Sequence, residues 1–136
     1  MKVVFDTNIW ISFLLGKKLS VLSEVLTRDD VSIYVSNDLL KELVEVASRP
    51  KIKQRISADS LMALLEMIDA TCQHIDNYAK AESDIRDADD LYLISMVEAI
   101  PADYLVTGDK DLLVLIQQGK CKIITFAQFM EMLNRI

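Results

Sequence analysis

The chain has 136 residues, and 51% hydrophobic and 26% charged residues are typical of a globular protein and not of a disordered one. The 15 basic and 21 acidic residues give a net charge of −6, which argues against a protein that coats nucleic acid non-specifically. A nucleic-acid enzyme remains compatible with this charge, because a bound divalent metal inverts the potential of an acidic site. The length predicts one domain over residues 1–136.

The apolar segments do not predict a membrane protein. Asp6 interrupts the first apolar run, and no later uncharged stretch approaches the roughly 20 residues that a spanning helix needs. No secretory signal is visible. Cys72 and Cys121 lack metal-ligand spacing, so buried free thiols in a reducing compartment are the simpler interpretation. We therefore expect a cytoplasmic protein that has no contact with a membrane.

Strands alternate with helices along the chain. The β-branched and aromatic residues of "KVVF" at 2–5 predict a buried first strand. The later elements are helices over 8–15 and 20–27, a strand over 32–35, helices over 37–47 and 58–70, an extended segment over 72–75, a helix from 87 or 88 to 99, a strand over 104–106, a helix over 110–117, a strand over 121–125 and a helix over 127–134. Ser20 and Ser36 are candidate N-caps. This alternation predicts a three-layer α/β/α sandwich around a mostly parallel sheet.

Two acidic residues follow predicted strands directly. Asp6 comes after the first strand, and Asp109 comes after "YLVTG" near the end of a later one. Ligands of open parallel sheets bind outside the carboxyl ends of the strands. We therefore expect Asp6 and Asp109 to lie at the same edge of the sheet.

Glu42 lies at the border of a helical apolar face. It is about 40° from Val46 on the predicted 37–47 helix, where one turn takes 3.6 residues. Two interpretations remain open: a half-buried carboxylate turned toward a neighbouring element, or an ordinary solvated helix acid.

Asp90 projects between Ile94 and Val97, about 40° from the first and about 20° from the second, on the predicted 88–99 helix. Solvation explains an acid inside an apolar face poorly. Asp87 and Asp89 are explained adequately as an N-cap and as a first-turn acid that the helix dipole favours.

Converging carboxylates indicate a hard divalent cation. A single buried carboxylate is costly and would normally neutralise by a pKa shift. Mg²⁺ and Mn²⁺ take carboxylate and water oxygens, and several acids around such an ion are tolerated. Zinc is disfavoured because the chain offers no Cys/His ligand set.

Three blocks of the sequence, in the right order, resemble the PIN-domain family. They are "VVFDTNIW", "VSNDLLKELVEVASRPKI" and "RDADDLYLISMVEAIPADYLVTGDKDLL". The family comprises metal-dependent ribonucleases, among them many toxins of bacterial and archaeal toxin–antitoxin pairs. One departure is Pro101-Ala102-Asp103, where the family usually has Gly-Ala-Asp, and it affects a turn only.

The resemblance implies a catalytic and metal-binding quartet with Mg²⁺ or Mn²⁺ as the cofactor. Its members would be Asp6, Glu42, Asp90 and Asp109. Thr7, Asn8 and Thr107 would support them through hydroxyl or amide contacts, and Asp87 and Asp111 are candidate extra acids. The motif leaves open whether Asp87 or Asp90 is the inner ligand, and the helical geometry favours Asp90.

The implied reaction is metal-dependent endoribonucleolytic hydrolysis that leaves 5′-phosphate and 3′-hydroxyl ends. The implied partners are RNA, an antitoxin protein and a second copy of the chain in a homodimer. Four basic residues after the Glu42 helix could hold RNA phosphates, or form a solvated charged loop: Arg49, Lys51, Lys53 and Arg55.

Three other functions are compatible with parts of this sequence pattern. A phosphotransfer protein of the receiver or haloacid-dehalogenase type also uses acids at strand ends. The haloacid-dehalogenase pattern needs a second aspartate two residues after the first, where this chain has Asn8. A PIN nuclease of RNA processing, unrelated to a toxin pair, fits the same motifs. A non-catalytic binding module on the same fold is disfavoured by the intact quartet.

Overall fold

A computed structural model describes residues 1–16, 19–76, 78–79 and 88–136, with the backbone alone at 88–90. The strands in this part of the chain are β1 (Lys2–Phe5), β2 (Ser32–Val35), β3 (Gln73–His74), β4 (Tyr104–Val106), β5 (Gln117–Gln118) and β6 (Cys121–Ile124). They form one sheet in the order β3-β2-β1-β4-β6-β5. The pairs are parallel, except that β5 runs antiparallel to β6.

Helices cover both faces of this sheet. They are α1 (Thr7–Leu15), α2 (Leu19–Leu26), α3 (Asn37–Ala47), α4 (Pro50–Lys53), α5 (Ala58–Thr71), α6 (Ala88–Ala99), α7 (Lys110–Leu113) and α8 (Phe126–Asn134). Successive residues of a strand point to opposite faces, and Val3, Val4 and Phe5 of β1 are all fully buried. The predicted α/β/α sandwich with a mostly parallel sheet is therefore confirmed. No helix among the described residues has the length and apolarity to cross a bilayer.

An aromatic cluster fixes the carboxyl end of β1. The ring of Phe5 lies 5.3 Å from that of Trp10 on α1 and 5.6 Å from that of Phe129 on α8. Removing such a buried ring typically costs about 3–5 kcal/mol. The residue that follows Phe5, Asp6, is thereby held at a defined place above the sheet.

The start of α3 is set by the predicted cap. The Oγ atom of buried Ser36 accepts a hydrogen bond from the Leu39 N–H at 3.1 Å, so the Ser36 prediction is confirmed. The prediction for Ser20 is wrong, because α2 already begins at Leu19 and Ser20 is an interior residue.

Three further segments differ from their sequence-based predictions or refine them. The helix predicted over 110–117 is wrong beyond Leu113. Ile116 adopts a left-handed conformation (φ 58°), which a helix does not tolerate, and the chain turns back at Gly119 (φ 61°) into the β5–β6 hairpin. Pro50 begins the short helix α4, because the fixed φ of proline suits the first helical position. The predicted extended segment over 72–75 contains the edge strand β3.

Candidate active site

Asp6 and Asp109 follow neighbouring parallel strands. Phe5 of β1 is paired with Val106 of β4, and the Asp6 N–H continues the ladder by donating to the Val106 carbonyl at 2.9 Å. Both strands thus end at one edge of the sheet, and the two acids lie on this edge as expected. Their catalytic role stays a prediction.

Thr107 connects the two acids. Its Oγ1 donates a hydrogen bond to Oδ2 of Asp6 at 2.6 Å and accepts one from the Asp109 N–H at 3.0 Å. Thr107 is fully buried, and its own N–H donates to the Ile124 carbonyl of β6. One hydroxyl group therefore fixes the Asp6 carboxylate and the backbone that carries Asp109.

The carboxylate of Asp6 is in an electrostatically unfavourable place. Asp6 is only 3% exposed, and this burial is the main cause that raises the pKa of its carboxyl, with a further rise from the negative charge of Asp109. The Thr107 hydroxyl opposes this rise in pKa most strongly. The N–H groups of Thr7 and Asn8 oppose it less, and the Asp6 side chain makes no capping hydrogen bond to α1. A cation would relieve both causes of this cost.

Asp109 itself is half-buried and caps α7. Its Oδ1 accepts a hydrogen bond from the Asp111 N–H at 2.9 Å. Asp111 is exposed in the first turn of α7, at the outer side of the site.

Glu42 is half-buried on α3, as the first of its two interpretations requires. Its carboxylate interacts with the hydroxyl of Tyr92 on α6, which also lies 3.1 Å from Oγ1 of Thr7. The negative charges of Glu42 and Asp6 both act on this hydroxyl, so the Tyr92 hydroxyl lies within electrostatic range of both acids. We call Asp6, Glu42 and Asp109 the acidic edge.

Tyr92 is the residue of this site that the sequence-based reasoning did not identify. Burial above all raises the pKa of its phenol, the charges of Glu42 and Asp6 and the hydrogen bond to Glu42 add to the rise, and the Thr7 hydroxyl opposes it. A buried phenol needs a partner for its hydroxyl. A tyrosine two residues after Asp90, about 40° from buried Met96 on the α6 wheel, was the available signal.

The side chains of the other predicted metal-ligand acids, Asp87 and Asp90, are not among the described ones. Asp87 lies outside the described residues, and Asp90 is the third residue of α6 with only its backbone described. Ile94 and Val97, between which Asp90 was expected to project, are buried. Among the side chains that the structure does describe, no group of three or more His, Cys, Asp or Glu forms a metal site. The contribution of Asp90 stays a prediction.

The remaining supporting residues lie around the acidic edge or beyond it. Thr7 is buried and Asn8 is exposed, both in the first turn of α1. The four basic residues predicted to bind RNA are all exposed, on α4 or next to it: Arg49, Lys51, Lys53 and Arg55. Arg49 forms a surface ion pair with Glu45 at 3.8 Å. Their role in RNA binding stays a prediction.

The fold and this edge define an α/β protein with acids gathered at the carboxyl ends of central parallel strands. The family model described as "PIN domain" matches residues 2–111, and the chain belongs to this family of nucleases. No curated protein matches the sequence.

Two solved structures share the fold. A chain in the crystal structure of VapBC2 from Rickettsia felis bound to a DNA fragment from their promoter is 18% identical, with a TM-score of 0.56 over 90% of this chain and 97% of that one. The T. brucei RRP44 PIN domain is 15% identical, with a TM-score of 0.53 over 98% of this chain and 80% of that one.

Proposed function

We propose that the protein is a metal-dependent endoribonuclease, with residues 1–136 as one nuclease domain that hydrolyses phosphodiester bonds in RNA. Membership of the PIN-domain family supports the reaction class. One observation of this chain carries the proposal. Asp6 is buried at a strand end, and Thr107 ties it to the backbone of a second acid whose charge opposes its ionisation.

The donor set of the acidic edge fits a hard divalent cation. Asp6, Glu42 and Asp109, together with Asp90, would hold Mg²⁺ or Mn²⁺ through carboxylate oxygens. When bound, such an ion supplies Lewis-acid activation of water and stabilises negative charge that develops on the phosphate. The single histidine, His74, lies at the surface on the outer strand β3 and offers no competing nitrogen ligand at the acidic edge.

The chain's own residues orient and hold the reacting groups. The Thr107 hydrogen bond restricts rotation of the Asp6 carboxylate and opposes its protonation. Asp109 has its own rotation fixed by the Asp111 N–H at the start of α7. The exposed basic residues on and around α4 would hold RNA phosphates beside the acidic edge. The products would carry 5′-phosphate and 3′-hydroxyl ends.

A toxin of a toxin–antitoxin pair is the role we favour. This role is supported by the fold shared with a chain of the Rickettsia VapBC2 complex, over nearly the full length of both chains. An antitoxin protein and a second copy of the chain would then be partners. Action in the cytoplasm would suit the two buried free thiols. The second candidate is a nuclease of RNA processing, favoured by the fold shared with the RRP44 PIN domain.

The decisive experiment compares RNA cleavage by the wild type, Asp6→Asn and the control Asp69→Asn. Each protein is assayed with Mn²⁺, with Mg²⁺ and with a chelator. We expect metal-dependent cleavage by the wild type and by Asp69→Asn, because the Asp69 carboxylate is exposed on α5. Asp6→Asn should lose at least about 100-fold in rate. Full metal-dependent cleavage by Asp6→Asn would refute the assignment.

Calorimetric titration with Mn²⁺ separates the nuclease from a non-catalytic module. The nuclease requires binding by the wild type and weakened binding by Asp6→Asn. A wild type that binds no Mn²⁺ would favour the module.

A further inference from the structure

The hydroxyl of Tyr92 lies where three helices meet the acidic edge. Tyr92 belongs to α6, and its hydroxyl oxygen is 3.1 Å from Oγ1 of Thr7, the first residue of α1. The same hydroxyl interacts with the carboxylate of Glu42 on α3. A phenol that only filled space would not need polar partners on two other helices.

The direction of these hydrogen bonds follows from the chemistry of the groups. An ionised carboxylate only accepts hydrogen bonds, whereas a phenol has one hydrogen to donate. The Tyr92 hydrogen therefore points to Glu42, and the Tyr92 oxygen accepts the hydrogen of the Thr7 hydroxyl. Thr7, Tyr92 and Glu42 form a polarised series in which each donor strengthens the next.

We propose that Tyr92 is a positioning residue whose hydroxyl holds the Glu42 carboxylate at the acidic edge. This inference rests on the proposed nuclease function. Glu42 lies at the half-buried border of α3, and the hydrogen bond from Tyr92 restricts the rotamers of its long side chain. Thr7, fixed in the first turn of α1 directly after Asp6, ties the position of the phenol to the strand end.

The test compares Tyr92→Phe with Tyr104→Phe. Both changes remove one hydroxyl group, but Tyr104 is the first residue of β4, at the opposite end of the strand from the site. Removing a partner that orients a metal ligand typically costs about 10- to 100-fold in activity or metal affinity. We expect this loss in kcat and in Mn²⁺ affinity for Tyr92→Phe, with an unchanged KM for RNA and no loss for Tyr104→Phe.

A wild-type kcat in Tyr92→Phe would overturn the inference. An increase in KM with kcat unchanged would overturn it too, because a group that orients Glu42 acts on the reaction and not on RNA capture.

A double-mutant cycle with Glu42→Ala distinguishes positioning from packing. If Tyr92 acts through Glu42, Tyr92→Phe has no further effect on kcat in the Glu42→Ala background. If Tyr92 only packs, the loss is the same in both backgrounds, and the inference is refuted.

The same cycle, measured as urea unfolding of the metal-free protein, separates this inference from the proposed function. Non-additive unfolding free energies support the hydrogen bond between Tyr92 and Glu42, and additive ones overturn it. A wild type that neither cleaves RNA nor binds Mn²⁺ refutes the nuclease, while the metal-free cycle still decides the role of Tyr92.

Discussion

Replacing Thr107 with valine should destabilise the metal-free protein by about 2 kcal/mol at neutral pH. The change keeps the β-branched shape of the side chain and removes only the hydroxyl. That hydroxyl makes one hydrogen bond to a carboxylate at 2.6 Å and one to a backbone N–H at 3.0 Å. A hydrogen bond to a charged group contributes about 1.5–3 kcal/mol to the free energy of unfolding, and one between neutral groups contributes about 0.5–1.5 kcal/mol.

The gain from burying one additional methyl group offsets about 0.8 kcal/mol of that loss. The net effect is about 2 kcal/mol. For a domain of this length, it corresponds to a fall in Tm of roughly 8 °C.

The pH dependence of this loss has a defined sign. Burial raises the folded-state pKa of Asp6 above its ordinary value of 3.8, and the Thr107 hydroxyl opposes the rise. Valine removes that opposition and raises the pKa further. A carboxyl group with a raised folded-state pKa binds its proton more tightly in the folded protein than in the unfolded one. Protonation at low pH therefore favours the folded state, and this stabilisation is lost as the pH rises through the folded-state pKa. The difference between Thr107→Val and the wild type should therefore be largest near neutral pH and shrink toward the ordinary pKa.

Urea unfolding with a chelator, at neutral pH and at about pH 4, measures this difference. Thr71→Val is the matched control, because the Thr71 hydroxyl donates to the Met67 carbonyl on its own helix at 2.7 Å. Such bonds add little stability, and we expect a change within about 0.5 kcal/mol. A Thr107→Val protein that unfolds at the wild-type urea concentration, or shows the same loss at both pH values, would refute the reasoning.

Two further predictions concern parts of the chain outside the acidic edge. Ser36→Ala should lower the free energy of unfolding by about 1–2 kcal/mol, and by more than Ser57→Ala. Ser36 caps α3 from a buried position and also donates to Sδ of Met96, whereas the Ser57 cap of α5 is exposed. Equal urea midpoints for the two variants would contradict this. Burial raises the pKa of the Cys72 thiol to about 11 and that of Cys121 to about 12, so a colorimetric thiol reagent should label neither in the native protein at neutral pH and both in urea. Rapid native labelling would show that the thiols are accessible.

The sequence predicted those parts of the site that depend on local periodicity and on parallel-sheet geometry. Asp6 and Asp109 could be placed together because both follow strands whose carboxyl ends share one edge. The angle between Glu42 and Val46 placed Glu42 at the border of the apolar face of α3 and left a half-buried or a solvated carboxylate open; the structure has Glu42 half-buried.

The features that the sequence did not predict depend on tertiary arrangement. The hydrogen-bond partners of Tyr92 depend on how α6 packs against α1 and α3. A helical wheel of α6 alone carries no information on that packing. The helix predicted over 110–117 ends at Leu113, whereas the strand predicted over 121–125 is present as β6. The turn of the β5–β6 hairpin depends on the left-handed backbone of Ile116, a conformation that a β-branched residue rarely adopts.

The backbone beneath the two acids belongs to the centre of the sheet. The N–H groups of Asp6 and Thr107 are both bonded within the ladder, to Val106 and to Ile124, with further strands on either side. Amides in such positions exchange with solvent mainly through global unfolding, so they should be among the slowest in the molecule. If the protein is the proposed ribonuclease, thermal inactivation should coincide with melting of the whole domain, and adjustment to differently shaped RNA would come from the surrounding helices.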